Sequence, residues 1–358
     1  MTTESTPSSR TSTSKALDSG STAERFAAAL ALIPELAQVE EIIRASLRSD
    51  VRPMREIPEY LLSLGGKRIR PALTLLCAKA LGMRAISGDI LNIAAGIELI
   101  HMATLMHDDI IDQSPIRRHK ESPYAKFGTP LTLLSGDFLL TRAFGLCARL
   151  DDTIIAATEQ ACIELVEGEA LETPLHHELH DLTSSLTIAQ RKTASLFRLA
   201  AFCAGHLGGT SPDRLGALSR FGESLGIAFQ VIDDVLDVTS NEATLGKQPG
   251  LDIMERKPSV VNVLWLASGD PSSERLRTRP VAGEEVAFAQ TTIAMLQQSP
   301  FIQEAKQIAK SYGAQASSAL RDALGDTSDQ TDSNGYNERH IAAQALFTVV
   351  DFALERLK

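Results

Sequence analysis

His101-Met-Ala-Thr-Leu-Met-His-Asp-Asp-Ile-Ile-Asp-Gln-Ser-Pro-Ile-Arg-Arg118 closes an apolar run that begins at Leu91. The run is rich in strong helix formers, so the pattern predicts a buried helix that Pro115 ends. Asp108 and Asp112, four apart, stack on one face; Asp109 borders that face, and His101 lies two turns up on it. No lysine or arginine interleaves the carboxylates, and each like-charged pair costs roughly 0.2–0.5 kcal/mol until something positive binds. Clustered carboxylates on a rigid element suit Mg²⁺, which keeps several waters and takes one or two carboxylates plus substrate phosphates. Arg117 and Arg118 follow at once, and anion binders beside a metal cluster point to a metal-diphosphate substrate. One acidic run alone is ordinarily a solvated face.

A second copy changes that reading. Phe229-Gln-Val-Ile-Asp-Asp-Val-Leu-Asp237 repeats the Asp-Asp-x-x-Asp spacing inside another apolar helix, Leu215 to Val238. Its acids are Asp233, Asp234 and Asp237, and Gln230 shares the face of Asp237. Two such clusters on helices too apolar for the surface are hard to explain by solvation, because buried charge is expensive unless paired or metal-bound.

Basic residues gather elsewhere. Gly65-Gly-Lys-Arg-Ile-Arg-Pro71 interrupts the helical pattern, and its glycines permit a tight turn. Lys67 and Arg70 can converge on one anion near the helix that Pro71 opens. Lys192 and Thr193 lie in a helix from Leu186 to Leu207, where the lysine either snorkels to solvent or meets an anion. The polar segment Thr239 to Lys257 can fold over the acidic helices as a lid, bringing Lys247, Arg256 and Lys257. Asp137, inside a helix from Leu131 to Leu150, either pairs with a cation or orients a neighbour. On the helix from Ile154 to Glu172, the pairs Glu164/Glu167 and Glu169/Glu172 read as a solvated face. His176, His177 and His180 fit no ligand template, so no metal is assigned to them.

Composition narrows the class. The 358 residues are 44% hydrophobic, 5% aromatic and 22% charged, an alanine- and leucine-rich blend that favours helices. A net charge of −10 argues against a nucleic-acid partner. No transmembrane segment is expected, since Glu98 and His101 interrupt the best apolar run. Cys77, Cys147, Cys162 and Cys203 read as buried small hydrophobes of a reducing cytosol. Residues 1–22 read as a Ser/Thr-rich disordered tail rather than a transit peptide, given Glu4 and Asp18. One large helical domain or two of modest size fit the length; a single domain over 23–358 is expected, with no strand anywhere.

Two acidic triads facing each other would hold Mg²⁺ on the diphosphate of one substrate, and Lewis-acid stabilisation of that leaving group is worth several kcal/mol. Lys67, Arg70 and Arg118 would bind a second diphosphate without metal. Neither a Ser-His-Asp nor a Cys-His arrangement is evident, which excludes covalent catalysis from the reading. Ionisation of an allylic diphosphate, with the cation trapped by an alkene in a dry pocket, fits what remains.

From about residue 25 onward the chain resembles the trans-polyprenyl diphosphate synthases, among them the heptaprenyl, octaprenyl and decaprenyl enzymes. The motifs at 65–71, 108–118, 192–193 and 226–237 carry the likeness. It implies an all-α, isoprenoid-synthase-type bundle of about ten or more helices around a central cavity, adding isopentenyl diphosphate head-to-tail to an allylic primer such as farnesyl diphosphate. It implies Asp108, Asp112 and Asp233 as Mg²⁺ ligands, and Asp109, Asp234 and Asp237 as ligands or as carboxylates behind them. Lys67, Arg70, His101 and Arg118 would hold isopentenyl diphosphate. Arg117, Lys192, Thr193, Gln230, Lys247 and Lys257 would hold the allylic diphosphate, Lys192 also serving catalysis. The released diphosphate would take the proton. A cytoplasmic homodimer with a peripheral membrane contact for product release belongs to the same expectation.

The family often has glycine where this chain has His119 and Arg256. In place of the bulky aromatic that stops short-chain enzymes stands Ala103, followed by Thr104, so an open pocket floor and a long all-trans product for quinone side chains are expected. A farnesyl or geranylgeranyl synthase is the near alternative. A non-catalytic regulatory subunit is the alternative from another class, though both triads are intact. The dyad His107-Asp108 also mimics a metal phosphohydrolase, but nothing supplies that class's other ligands.

Overall fold

A computed structural model of the chain describes residue 17 and residues 20–175, 177–178, 180–241, 248–325 and 338–355. Lys247, His176 and most of the expected loop from Gly325 to Asn337 lie outside the described residues. Helix α1 (Thr22–Ala31) starts at Ser21, which closes a capping box with Glu24. Leu17, inside the stretch expected to be a tail, is buried, and its carbonyl accepts from Arg25 Nε at 2.8 Å. Next come α2 (Leu36–Ser46), α3 (Arg52–Ser63) and α4 (Ile69–Ala80). Before α4 the chain turns sharply, with Gly65 at φ 84° and Arg68 at φ 50°.

Helix α5 (Gly88–Ile111) is capped by Ser87 and buried on nearly every side. A helix apolar all round belongs in a core. It stops at Asp112, its C-cap, with Gln113 left-handed at φ 50° and Pro115 just beyond. By length and composition alone α5 is apolar enough to cross a membrane, but 72% of its most apolar window is buried inside the protein, as befits a core helix. The expectation of no strand also fails: β1 (Ile116–Arg117) pairs antiparallel with β2 (Lys120–Glu121). Arg118 and His119 turn the hairpin at φ 52° and 64°, the two left-handed positions that a tight primed turn requires.

After α6 (Pro123–Phe127) come α7 (Thr129–Cys147) and α8 (Asp152–Leu171). The helix expected over Leu186 to Leu207 is broken into α9 (Leu182–Ile188), a π-helical turn at Ala189–Ala194, and α10 (Ser195–Leu207). Ser211 and Pro212 open α11 (Pro212–Thr239), the longest helix among the described residues. The chain ends through α12 (Leu251–Met254), α13 (Val260–Ala267), a 3₁₀ turn at Pro271–Arg277, α14 (Glu285–Gln297), α15 (Phe301–Leu324) and α16 (Glu338–Glu355).

The all-α expectation holds, with α5 and α11 as the axis of the bundle. α5 packs on α7, α4, α2 and α10; α11 packs on α15, α10 and the π-helical turn; α16 closes over α4 and α1. Both acidic clusters therefore ride on core helices, each at a C-terminal end with no basic residue in its last turn.

Candidate active site

Asp108 and Asp233 come from different core helices, yet both line the same two adjoining cavities. The larger, about 780 Å³, also takes in Lys67, Arg70, His101, Thr104, Arg118, Lys192, Thr193 and Gln230, with Ile69, Leu105, Leu165 and Phe229 as its apolar wall. The smaller, about 430 Å³, adds Asp112, Arg117, Asp234, Asp237 and Lys257. Leu105, Asp108, Arg118, Lys192, Thr193, Gln230 and Asp233 are common to both. The helix ends sharpen the acidic half. The negative ends of the α5 and α11 helix dipoles add to carboxylates already crowded together.

The electric fields of the two halves are opposite. In the acidic half, burial pushes Asp108 up to about 7, with Glu169 and Asp112 adding to the rise against Lys192 and Arg117. Asp234 is pushed well above the carboxylate range, chiefly by burial and then by Asp252. Burial also raises Glu255. A group of carboxylates this reluctant to ionise together is a fit site for a divalent cation. In the basic half, burial drives the His101 imidazole well below its ordinary pKa, and Arg70, Arg117, Arg118 and Arg68 push the same way. Burial lowers Arg118 too, and the positive charges of Arg117 and Arg68 beside it push the same way. Arg70 is half-buried, stacks on the Phe197 ring at 4.8 Å, and its buried Nε meets no hydrogen-bond partner. An orphaned donor in a positive field is a fit site for an anion.

Within the acidic half the residues divide by role. Asp109 is fully buried and clasped by Arg117, whose Nε lies 2.9 and 3.0 Å from its two oxygens and whose Nη2 lies 2.7 Å from Oδ1. It lines neither cavity, and of the two roles expected for it the geometry suits the carboxylate behind the ligands: Asp109 anchors Arg117. Asp234 accepts from Gln230 Nε2 at 2.9 Å and from the Val260 amide at 2.8 Å. Asp237 accepts from the Asp252 amide at 3.1 Å. The bonds from the Val260 and Asp252 amides tie α11 to the segment after it, so Asp234 and Asp237 line the smaller cavity and fix its wall as well. Thr193 Oγ1 donates to Gln230 Oε1 at 2.6 Å, which joins the π-helical turn to α11.

Several participants escaped the sequence reading. Glu169 and Glu172, expected on a solvated face, turn inward and hold Lys192 Nζ at 2.8 and 2.6 Å. Burial would lower the Lys192 ammonium, but Glu172, Asp108 and Glu169 outweigh it and hold it above its ordinary value. Lys257 Nζ sits 3.0 Å from Asp112 and 2.9 Å from Glu255. Arg68 pairs with Glu40 and, at 2.9 Å, with the buried Glu98, placing a counter-charge beneath the basic half. The i,i+3 spacing of Glu169 and Glu172 just after Gly168 was the one available clue.

Other expectations fall away from the cavity. Ala103 is fully buried in the core and lines neither cavity, whereas Thr104 does. Asp137 is exposed, 3.5 Å from His107 Nε2. Arg256 lines neither cavity and has φ 59°; its carbonyl accepts from the Leu175 amide at 2.8 Å. His180 Nε2 lies 3.1 Å from Thr173 Oγ1.

Residues 51–291 match the model of the polyprenyl synthetase family. A short chain isoprenyl diphosphate synthase of Methanothermobacter thermautotrophicus is 36% identical over 328 residues, 88% of this chain and 95% of that protein. The octaprenyl diphosphate synthase of Escherichia coli is 37% identical over 245 residues, 68% of this chain and 75% of that protein. Among solved structures, a polyprenyl synthase from Caulobacter crescentus complexed with calcium and isoprenyl diphosphate superposes with a TM-score of 0.81 at 30% identity, covering 91% of this chain and 97% of that one.

Proposed function

The chain belongs to the polyprenyl synthetase family, and from that premise we propose that it condenses isopentenyl diphosphate head-to-tail onto an allylic diphosphate, releasing pyrophosphate and a longer all-trans polyprenyl diphosphate. The observation that carries this is the shared cavity. Asp108 from α5 and Asp233 from α11 face one space whose far side is basic. That arrangement suits one metal-bound diphosphate and one metal-free diphosphate at the two poles.

Asp108, Asp112 and Asp233 are the proposed Mg²⁺ ligands. When bound, Mg²⁺ would stabilise the charge that develops on the departing diphosphate. Lys192, Lys257 and Arg117 neutralise the same group, with Arg117 aimed by Asp109. Thr193 and Gln230, bonded to each other, orient the allylic end. Lys67, Arg70 and Arg118 hold isopentenyl diphosphate in the positive field, and a neutral His101 can donate to it without adding charge. Leu105, Leu165 and Phe229 keep water from the cation. The proton lost from the growing chain is assigned to the released diphosphate.

A long-chain product for quinone side chains is the favoured outcome, supported by Thr104 at the cavity wall and by relatives named as octaprenyl and nonaprenyl synthases. A short-chain product is the second reading, favoured by the full-length likeness to an archaeal short chain synthase. Incubation with isopentenyl diphosphate, farnesyl diphosphate and Mg²⁺, followed by sizing of the product, separates them. Products longer than geranylgeranyl support the first. A main product of farnesyl or geranylgeranyl length supports the second, and phosphate release without chain growth contradicts both. The proposed assembly is a homodimer whose apolar contact comes from α7 and α8, where Leu134 is 53% and Val166 66% exposed. The four free cysteines suit a cytoplasmic setting, and product release at a membrane surface fits so apolar a product.

A further inference from the structure

Glu172 Oε2 lies 2.6 Å from Lys192 Nζ and 3.7 Å from Lys257 Nζ, so one carboxylate oxygen stands between both lysines of the acidic half. It sits at the C-terminal end of α8 as the capping residue, where the helix favours cations. Lys257 in turn contacts Asp112 at 3.0 Å and Glu255 at 2.9 Å. Asp112 therefore already carries a cation, the Lys257 ammonium, on the oxygen Oδ1. A divalent ion and an ammonium cannot share that oxygen without strong repulsion. A metal bound through Oδ1 of the half-buried Asp112 would displace Lys257, which keeps Glu255 at 2.9 Å and has Glu172 Oε2 within 3.7 Å as the carboxylate to take the place of Asp112.

We propose that Glu172 is a positioning residue that receives Lys257 when a divalent cation claims Asp112, so that metal loading and the placement of Lys257 are one exchange. This rests on reading Asp112 as a metal ligand. Lys257 has only a short distance to travel, from 3.7 Å to bonding range of Glu172. Lys192 stays anchored by Glu169 at 2.8 Å during the exchange. Gly168 lets α8 approach this closely, since a Cβ there would lie 2.5 Å from the Lys192 amide nitrogen. The consequence is a lysine that changes partner on metal loading, poised beside the diphosphate oxygens only once the metal is in place.

The test is Mn²⁺ titrated into the full metal-free chain and read by electron paramagnetic resonance, in a double-mutant cycle. Glu172→Gln is expected to weaken Mn²⁺ about tenfold in the wild-type background and less than about twofold in a Lys257→Met background. Glu172→Asp keeps the charge but withdraws the oxygen from Lys257; it is expected to weaken Mn²⁺ in the wild-type background alone. Equal losses in both backgrounds mean that Glu172 contributes only its charge, and overturn the exchange. No loss in either background overturns it as well. A wild type that takes up no Mn²⁺ overturns the reading of Asp112 itself, an outcome distinct from the other two. Thermal melts of each variant confirm that the fold is kept.

Discussion

Burial holds the Asp108 carboxyl near 7, where an unstrained aspartate would sit near 3.8. The native state therefore keeps a proton that the unfolded chain releases. Between about pH 4 and pH 7 folding binds that extra proton, and this residue's contribution to stability falls as pH rises through the window. Asp108→Asn removes the buried charge and should raise the Tm of the metal-free protein by roughly 2–4 °C at pH 8, with little change at pH 4. A lower Tm at pH 8 would mean that Asp108 is paired rather than stranded. The same substitution should abolish turnover, because the site needs the charge that the fold resists. His119 and Arg256 present a simpler cost. Both occupy left-handed backbone at φ 64° and 59°, where a Cβ is strained and glycine is not. His119→Gly and Arg256→Gly should each raise stability by ~0.5–1 kcal/mol in urea denaturation. A loss of stability would show that their side chains contribute more than the strain removes.

At the scale of elements, the π-helical turn and α10 are gripped by glycines on both sides. Gly168 on α8 abuts the Lys192 backbone, Gly226 on α11 abuts Ala194, and Gly222 abuts the Phe197 carbonyl. No side chain fits at those crossings, which is how Lys192 and Thr193 come to lie between α8 and α11. Gly226→Ala should cost roughly 1–3 kcal/mol and lower kcat through Thr193; unchanged urea unfolding would refute the grip. This also marks what the sequence could and could not disclose. α5 and α11 were legible because each is long, apolar and punctuated by the same acidic spacing. The inward turn of Glu169 and Glu172 was not, since which face of α8 meets solvent depends on Lys192, some twenty residues on. The Arg68–Glu98 pair and the Arg117–Asp109 clasp likewise depend on how separate segments meet. The hairpin at 116–121 was missed because Arg118-His119 lacks the usual turn glycine, and the π-helical turn because its residues fit an α-helix equally well.

Over the whole molecule, the bundle separates an acidic pole from a basic one and leaves an apolar wall between them. Helix C-termini, burial and paired carboxylates all reinforce the first pole; Lys67, three arginines (Arg68, Arg70 and Arg118) and a neutral imidazole mark the second. Growth of a prenyl chain must be housed from this wall outward, and Thr104 lines it while Ala103 does not. Thr104→Phe should therefore shorten the main product with little effect on stability. Ala103→Phe, crowding a fully buried site, should instead destabilise the fold by about 1–3 kcal/mol. Equal shortening by both variants, without destabilisation, would place the limiting wall at Ala103.

Divalent cations held between the carboxylates of α5 and α11 would tie the two sides of the acidic pole together. Crystals soaked with Mn²⁺ and pyrophosphate test it directly through anomalous scattering. The prediction is manganese within ~2–2.5 Å of carboxylate oxygens on Asp108 or Asp112 and on Asp233, with the pyrophosphate between the two helices. Manganese confined to one helix, or scattered over surface carboxylates with the cavity empty, would contradict it.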